Sequence, residues 1–141
     1  MGVSGNKETQ LLNLATLVIR GPRNSLEKAK PQVHLSPFRC WEAGDSVTLS
    51  KTYSDYGCVY EIADTETPNE LADSIFDFLK QIHGSGVNFI DLGVNAELSL
   101  GFGVGDDNQF IASYTLSLEV IELLFKCGIA VEYSAYPVDD E

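Results

Sequence analysis

Cationic side chains are scarce in this chain, and after Tyr60 they almost vanish. Residues 61–141 contain Lys80 and Lys126 against sixteen Asp and Glu, a net of −14. Residues 1–60 carry seven Lys and Arg against five acids, a net of +2, so the chain totals −12. Neutralising a phosphate backbone takes Lys and Arg, and an anionic lipid surface repels a molecule of this charge. Nucleic acid and membrane are therefore excluded as expected partners. Long apolar runs are missing too. The stretch 11–19 is interrupted by Asn13 and Thr16, and a bilayer crossing needs about twenty apolar residues. Residues 1–10 are polar and have no basic region followed by an apolar one, so a non-secreted, cytoplasmic protein is expected.

Cysteine is sparse, with only Cys40, Cys58 and Cys127. An odd number at wide spacing predicts reduced thiols in a reducing compartment rather than a disulfide framework. Their apolar neighbours predict inert, buried thiols. With His34 and His83 they form no pair at zinc-ligand spacing. Neither a Gly-x-Ser-x-Gly elbow nor a His-Glu-x-x-His helix occurs. The expectation is a protein that is not an enzyme, with no catalytic residue, cofactor or metal.

What is present suffices for a core. The 141 residues, 44% of them hydrophobic, fit one domain spanning 1–141 with a loose tail at about 1–9. Residues 11–20 read as a buried strand ending at Gly21-Pro22. Residues 25–30 read as one or two helical turns stopped by Pro31. Residues 39–63 hold two strand-like runs, one carrying Trp41, Val47 and Leu49 around a turn at 43–45, the other at 58–62.

The strongest element is a helix over 68–83. Thr67 stands as its N-cap, Pro68 at the first helical position, and Glu70 completes a capping box. Leu71, Ile75, Phe78, Leu79 and Ile82 form the apolar stripe, and Gly84 is expected at the C-terminal cap. Two strands are predicted at 89–92 and 96–104, and a turn at Asp106-Asp107-Asn108. A second helix runs from the Ser117 cap to Lys126 with Leu118, Ile121, Leu124 and Phe125 inward, and Gly128 closes it. Residues 129–136 alternate as a final strand. Without regular β-α alternation, the pattern predicts an α+β fold, an antiparallel or mixed sheet with two main helices packed on one face.

Carboxylates supply the candidate site. Asp73 and Asp77 lie along one side of the first long helix with Glu70, and Glu66 stands just ahead of it. Early acids also suit a helix dipole, and a charged stripe also serves as a solvated face. Asp106 and Asp107 follow the glycine-alternating stretch from Gly101. That stretch lacks the Lys and Ser/Thr of a phosphate loop and the spacing of a calcium loop, so close strand packing is its favoured reading. Tyr53 and Tyr56 stand in a polar loop and are expected to be exposed anchors. The expected partner-binding set is Asp73, Asp77, Asp106, Asp107, Glu66, Tyr53 and Tyr56.

Several features in order carry a loose resemblance. Leu35-Ser36-Pro37, Gly44-Asp45, Val59-Tyr60-Glu61, the 68–83 helix, Cys127-Gly128 and Tyr136 together resemble a small bacterial domain-of-unknown-function family, number forty-two seventy-nine. That resemblance implies no catalytic residues. Small acidic single domains also resemble bacterial immunity proteins, which neutralise incoming toxins in the cytosol. Toxins acting on nucleic acid are commonly cationic, and an acidic inhibitor associates with them quickly. The expected function is therefore an acidic cytosolic binding protein that neutralises a cationic partner, an immunity protein against a nuclease-type toxin. Two alternatives stand beside it. One is a regulatory or housekeeping α+β domain whose acidity serves solubility, and the other is a small metal-binding or hydrolytic domain using the loop from Gly101 to Asp107.

Overall fold

A computed structural model describes residues 13–105, 109 and 113–138. The expected 1–9 tail and the Asp106-Asp107-Asn108 turn lie outside the described residues. The fold is α+β. Five strands make a mixed sheet in the order β2-β5-β1-β6-β7, with β1 Asn13–Gly21, β2 Arg39–Trp41, β5 Tyr56–Thr65, β6 Asn95–Val104 and β7 Ile129–Pro137. A separate hairpin pairs β3 Ser46–Thr48 with β4 Lys51–Thr52. Every neighbouring pair in the large sheet is antiparallel except β6 and β7, which are parallel.

Strand alternation decides what is covered. Along β1, Asn13, Ala15, Leu17 and Ile19 are buried, while Leu14, Thr16, Val18 and Arg20 are half-buried. Leu98 and Leu100 of β6 and Tyr60 of β5 point to the same side as Leu17. Three helices cover that side: α1 Arg23–Ala29, α2 Pro68–Gly84 and α3 Leu118–Cys127. α2 packs over β5 and β1, and α3 packs beside it against β7. A register shift between Ala15 and Thr16 passes Ile62 by, so Ala63 and Glu61 keep opposite faces of β5.

The capping box of α2 is formed. Thr67 Oγ1 accepts from the Glu70 amide at 3.2 Å, and Glu70 Oε1 accepts from the Thr67 amide at 3.3 Å. The stripe residues Leu71, Ile75, Phe78, Leu79 and Ile82 are all buried. Beyond α2 the reading needs correction. Gly84 is the last helical residue, Ser85 is the cap in the right-handed region, and Gly86 takes the left-handed turn at φ 76°. The expected strand at 89–92 is a turn. Asn88 Oδ1 accepts from the amides of Ile90 (2.8 Å) and Asp91 (3.3 Å), a local side-chain bond that competes with strand pairing.

The inward face of α3 is rotated from expectation. Val120, Leu123, Leu124 and Cys127 are buried, whereas Leu118, Ile121 and Phe125 are 84%, 46% and 83% exposed. The helix is apolar around most of its circumference, so periodicity alone did not select the packed side. Ser117 caps it through the Val120 amide (3.1 Å), and Gly128 ends it in the left-handed region at φ 73°.

The thiol expectation is overturned for two of the three cysteines. Cys40 and Cys58 are directly opposite on β2 and β5 and form a disulfide. Only the fold makes residues 18 positions apart into cross-strand neighbours. Cys127 is the free, buried cysteine, and burial pushes its thiol pKa up.

Candidate functional site

The face of the sheet opposite the helices has no helix over it among the described residues, and register places its side chains in rows. Glu61, Thr16, Ser99 and Glu132 form one row across β5, β1, β6 and β7. The next row toward the end of β1 is Val59, Val18, Glu97 and Ala130. On the other side lie Asp64, Leu14, Gly101 and Ser134. Glu61, Asp64, Glu97 and Glu132 are all exposed. Tyr136 lies over Gly101, where an added Cβ would stand 3.4 Å from the ring. Burial, then the nearby Asp64 charge, raise the Tyr136 phenol pKa. Ser99 Oγ donates to Glu132 Oε1 at 3.4 Å. No two of these carboxylates stand directly opposite each other: Glu61 faces Thr16, Asp64 faces Leu14, Glu97 faces Val18 and Ala130, and Glu132 faces Ser99, so the acids share one face without a direct like-charge pair.

Cations occupy one corner of this face and are already engaged. Arg20 Nε donates to Asp55 Oδ2 at 2.9 Å and Nη2 to Oδ1 at 3.1 Å. That two-pronged bond holds the Asp55 carboxyl below its ordinary pKa, with a lesser contribution from Trp41 Nε1 at 3.4 Å. Trp41 stacks on Tyr53 with centroids 4.5 Å apart, and the guanidiniums of Arg20 and Arg39 each lie 5.4 Å from its ring. Arg39 Nη1 also donates to the Tyr53 hydroxyl at 3.2 Å. The cluster pins β2 and the β3–β4 hairpin to the sheet through paired charges and stacked rings.

The expected site residues do not converge. Asp73 and Asp77 are exposed on α2, in the layer on the other side of the sheet, and Asp77 lies 3.8 Å from Lys80. Glu66 is exposed in the connection to α2, where its amide donates to Glu70. Tyr53 and Tyr56 are half-buried, contrary to expectation. Tyr53 belongs to the Trp41 stack, and Tyr56 packs against the core. Asp106 and Asp107 lie outside the described residues. The carboxylates of the open face were missed because Glu61, Glu97 and Glu132 are far apart in sequence. The only early signal was that each sits at a polar position of an alternating strand.

Among the described residues no group of three or more His, Cys, Asp or Glu side chains is placed to hold a metal ion, and no helix is long and apolar enough to cross a membrane. An apolar groove of about 1010 Å³ runs round the beginnings of β6 and β7, lined by Val18, Ile90, Glu97, Phe125 and Ala130 among others. A second aromatic group, Phe102, Tyr114 and Tyr133, has centroids 6.1–6.3 Å apart, and burial pushes the Tyr114 phenol up to about 12. No protein-family model, curated protein or solved structure matches this chain.

Proposed function

We propose that this chain is an acidic binding protein that docks on a cationic protein and blocks it, as a bacterial immunity protein does with a nuclease-type toxin. The observation that carries this reading is the sheet face that no helix covers among the described residues, with Glu61, Asp64, Glu97 and Glu132 exposed in adjacent rows. Cations meet it at one corner, where Arg20 is paired with Asp55 and also feels the Glu97 charge. The two cations of residues 61–141, Lys80 and Lys126, are taken by Asp77 and Glu122 on their own helices, at 3.8 and 3.1 Å. A flat surface of one sign attracts an oppositely charged partner over a distance longer than any contact and raises the association rate. Asp73 and Asp77 add to the same field from the helical layer without forming part of the contact. Such an inhibitor meets an incoming toxin in the cytoplasm, a placement that the charge and the toxin role support but the Cys40–Cys58 disulfide does not.

The experiment pairs the chain with the product of any toxin-like reading frame directly upstream of its gene. Association is measured from low to physiological salt, where the screening length falls to about 8 Å. Wild type should associate more slowly as salt rises. The Glu97→Lys/Glu132→Lys double should slow it much further, and Asp73→Lys/Asp77→Lys only modestly. No binding, or binding indifferent to both salt and charge reversal, removes the reading.

A further inference from the structure

We propose that Phe102, Tyr114 and Tyr133 form a three-walled aromatic cage that binds a quaternary ammonium group. Their ring centroids stand 6.1, 6.3 and 6.3 Å apart, close to an equilateral triangle. A cation over the middle of such a triangle lies within the roughly 6 Å reach of a cation–π contact to all three rings at once. The planes of Phe102 and Tyr133 are 17° apart, and Tyr114 is tilted by 43° and 56° against them, so the rings do not close into one flat stack. Together with Ser134 and Ala135 they line a cavity of about 400 Å³.

Three separate segments supply the walls. Phe102 of β6 pairs with Ala135 of β7, and Tyr133 pairs with Leu100, two residues before Phe102. That diagonal relation on neighbouring strands brings the two rings within reach on the helix side of the sheet. Tyr114 comes from the segment that leads into the Ser117 cap of α3. Phe102 is the buried floor, Tyr114 is half-buried, and Tyr133 stands at the rim, 48% exposed. A ring left half in water gains only part of what packing offers, and it leaves the cavity open to a ligand.

The lining selects the ligand's chemistry. No Asp, Glu, Lys or Arg lines the cavity. Burial raises both phenol pKa values, Tyr114 to about 12, so the walls are neutral at physiological pH. Among the described residues the chain's own cations stand over Trp41 and Phe76 and not over this trio. All three rings lie in residues 61–141, whose net charge of −14 draws cations. A primary ammonium brings three N–H donors that lose their water on entering a cavity walled mainly by rings. A quaternary ammonium has no N–H to satisfy and meets the ring faces with methyl groups, so it is the cation that fits. Its source is a free choline-type molecule or a trimethylated lysine side chain. The cage lies on the opposite side of the sheet from the acidic rows and does not rest on the partner proposed for them.

Calorimetric titration of the full chain with choline and with Nα-acetyl-trimethyllysine amide tests this. Saturable binding is expected, with the N-methyl proton resonances moving upfield under the ring currents of the cage. The neutral isostere of choline, with tert-butyl in place of trimethylammonium, should bind at least tenfold more weakly, as should the unmethylated lysine amide. Tighter binding of choline assigns the site to a small molecule, and tighter binding of the lysine derivative assigns it to a modified protein; either supports the cage. Tyr133→Leu should weaken binding at least tenfold with circular dichroism unchanged. Tyr133→Phe should keep wild-type affinity, because the ring face and not the hydroxyl makes the contact. Tyr114→Leu serves as the second variant should Tyr133→Leu fail to fold. No saturable binding of either cation at millimolar concentration, equal binding of the neutral isostere, or wild-type affinity in a folded leucine variant would each overturn the proposal.

Discussion

The ring of Trp41 fills the space that a side chain at Gly57 would occupy. An added Cβ would overlap the ring carbons, although the two residues are merely cross-strand neighbours on β2 and β5. Gly57 is therefore fixed by a close approach. Gly57→Ala should push Trp41 off its stack with Tyr53 and away from Asp55, at a cost of about 1–3 kcal/mol, as overpacking does. Trp41 is the only tryptophan, so a red shift of its fluorescence together with a lower urea midpoint would report the change directly.

The Arg20–Asp55 pair makes stability depend on acid. The Arg20 hydrogen bond lowers the folded-state pKa of Asp55 below its ordinary 3.8. A lowered carboxylate contributes stability above the unfolded pKa, and that contribution is lost as pH falls through the folded value. Asp55→Asn should therefore reduce stability at neutral pH and flatten the acid limb of a stability–pH curve below about pH 4. Equal acid limbs in the two proteins would show that the pair is electrostatically idle.

At the alkaline end the sign reverses. Burial, and then Tyr133, raise Tyr114 to about 12. Its neutral phenol is favoured by the fold, so its contribution is complete below the unfolded value near 10 and fades as pH rises toward 12. Tyr114→Phe should abolish part of the alkaline destabilisation while leaving stability at pH 7 nearly unchanged. Absorbance titration of phenolate alongside thermal melting checks both.

Leu79 is fully buried on α2 against the sheet. Leu79→Ala should cost about 2–5 kcal/mol in urea unfolding, the range for a truncated core leucine. A loss under half a kcal/mol would mean the stripe is not packed as described.

Reducing the Cys40–Cys58 bond opens a loop closed across a separation of 18 residues. Chain entropy sets the loss of stability at about 3 kcal/mol. The Trp41 cluster still ties β2 to the sheet, so the far-ultraviolet circular dichroism should survive reduction while the urea midpoint falls. An unchanged midpoint would show that the constraint contributes nothing.

Local chemistry alone determined much of this protein. The capping box at Thr67 and Glu70, the stripe of α2, the Ser117 and Gly128 ends of α3 and the alternation of β7 all depend on neighbours within a few positions, so each is legible in the chain. So is the charge imbalance about Tyr60. Tertiary structure decided the rest, because it depends on what lies opposite. Residues 89–92 are apolar enough for a strand, yet Asn88 bends them into a turn. α3 is apolar nearly all round, and only its seat beside α2 and β7 selects Val120, Leu123, Leu124 and Cys127 for burial. Pairing of β2 with β5 makes a disulfide of cysteines that spacing suggested were free. The candidate surface follows the same rule. Glu61, Glu97 and Glu132 come onto one face through strand register; each strand's alternation shows only that its own acid points outward, and which acids share a face is a relation between segments.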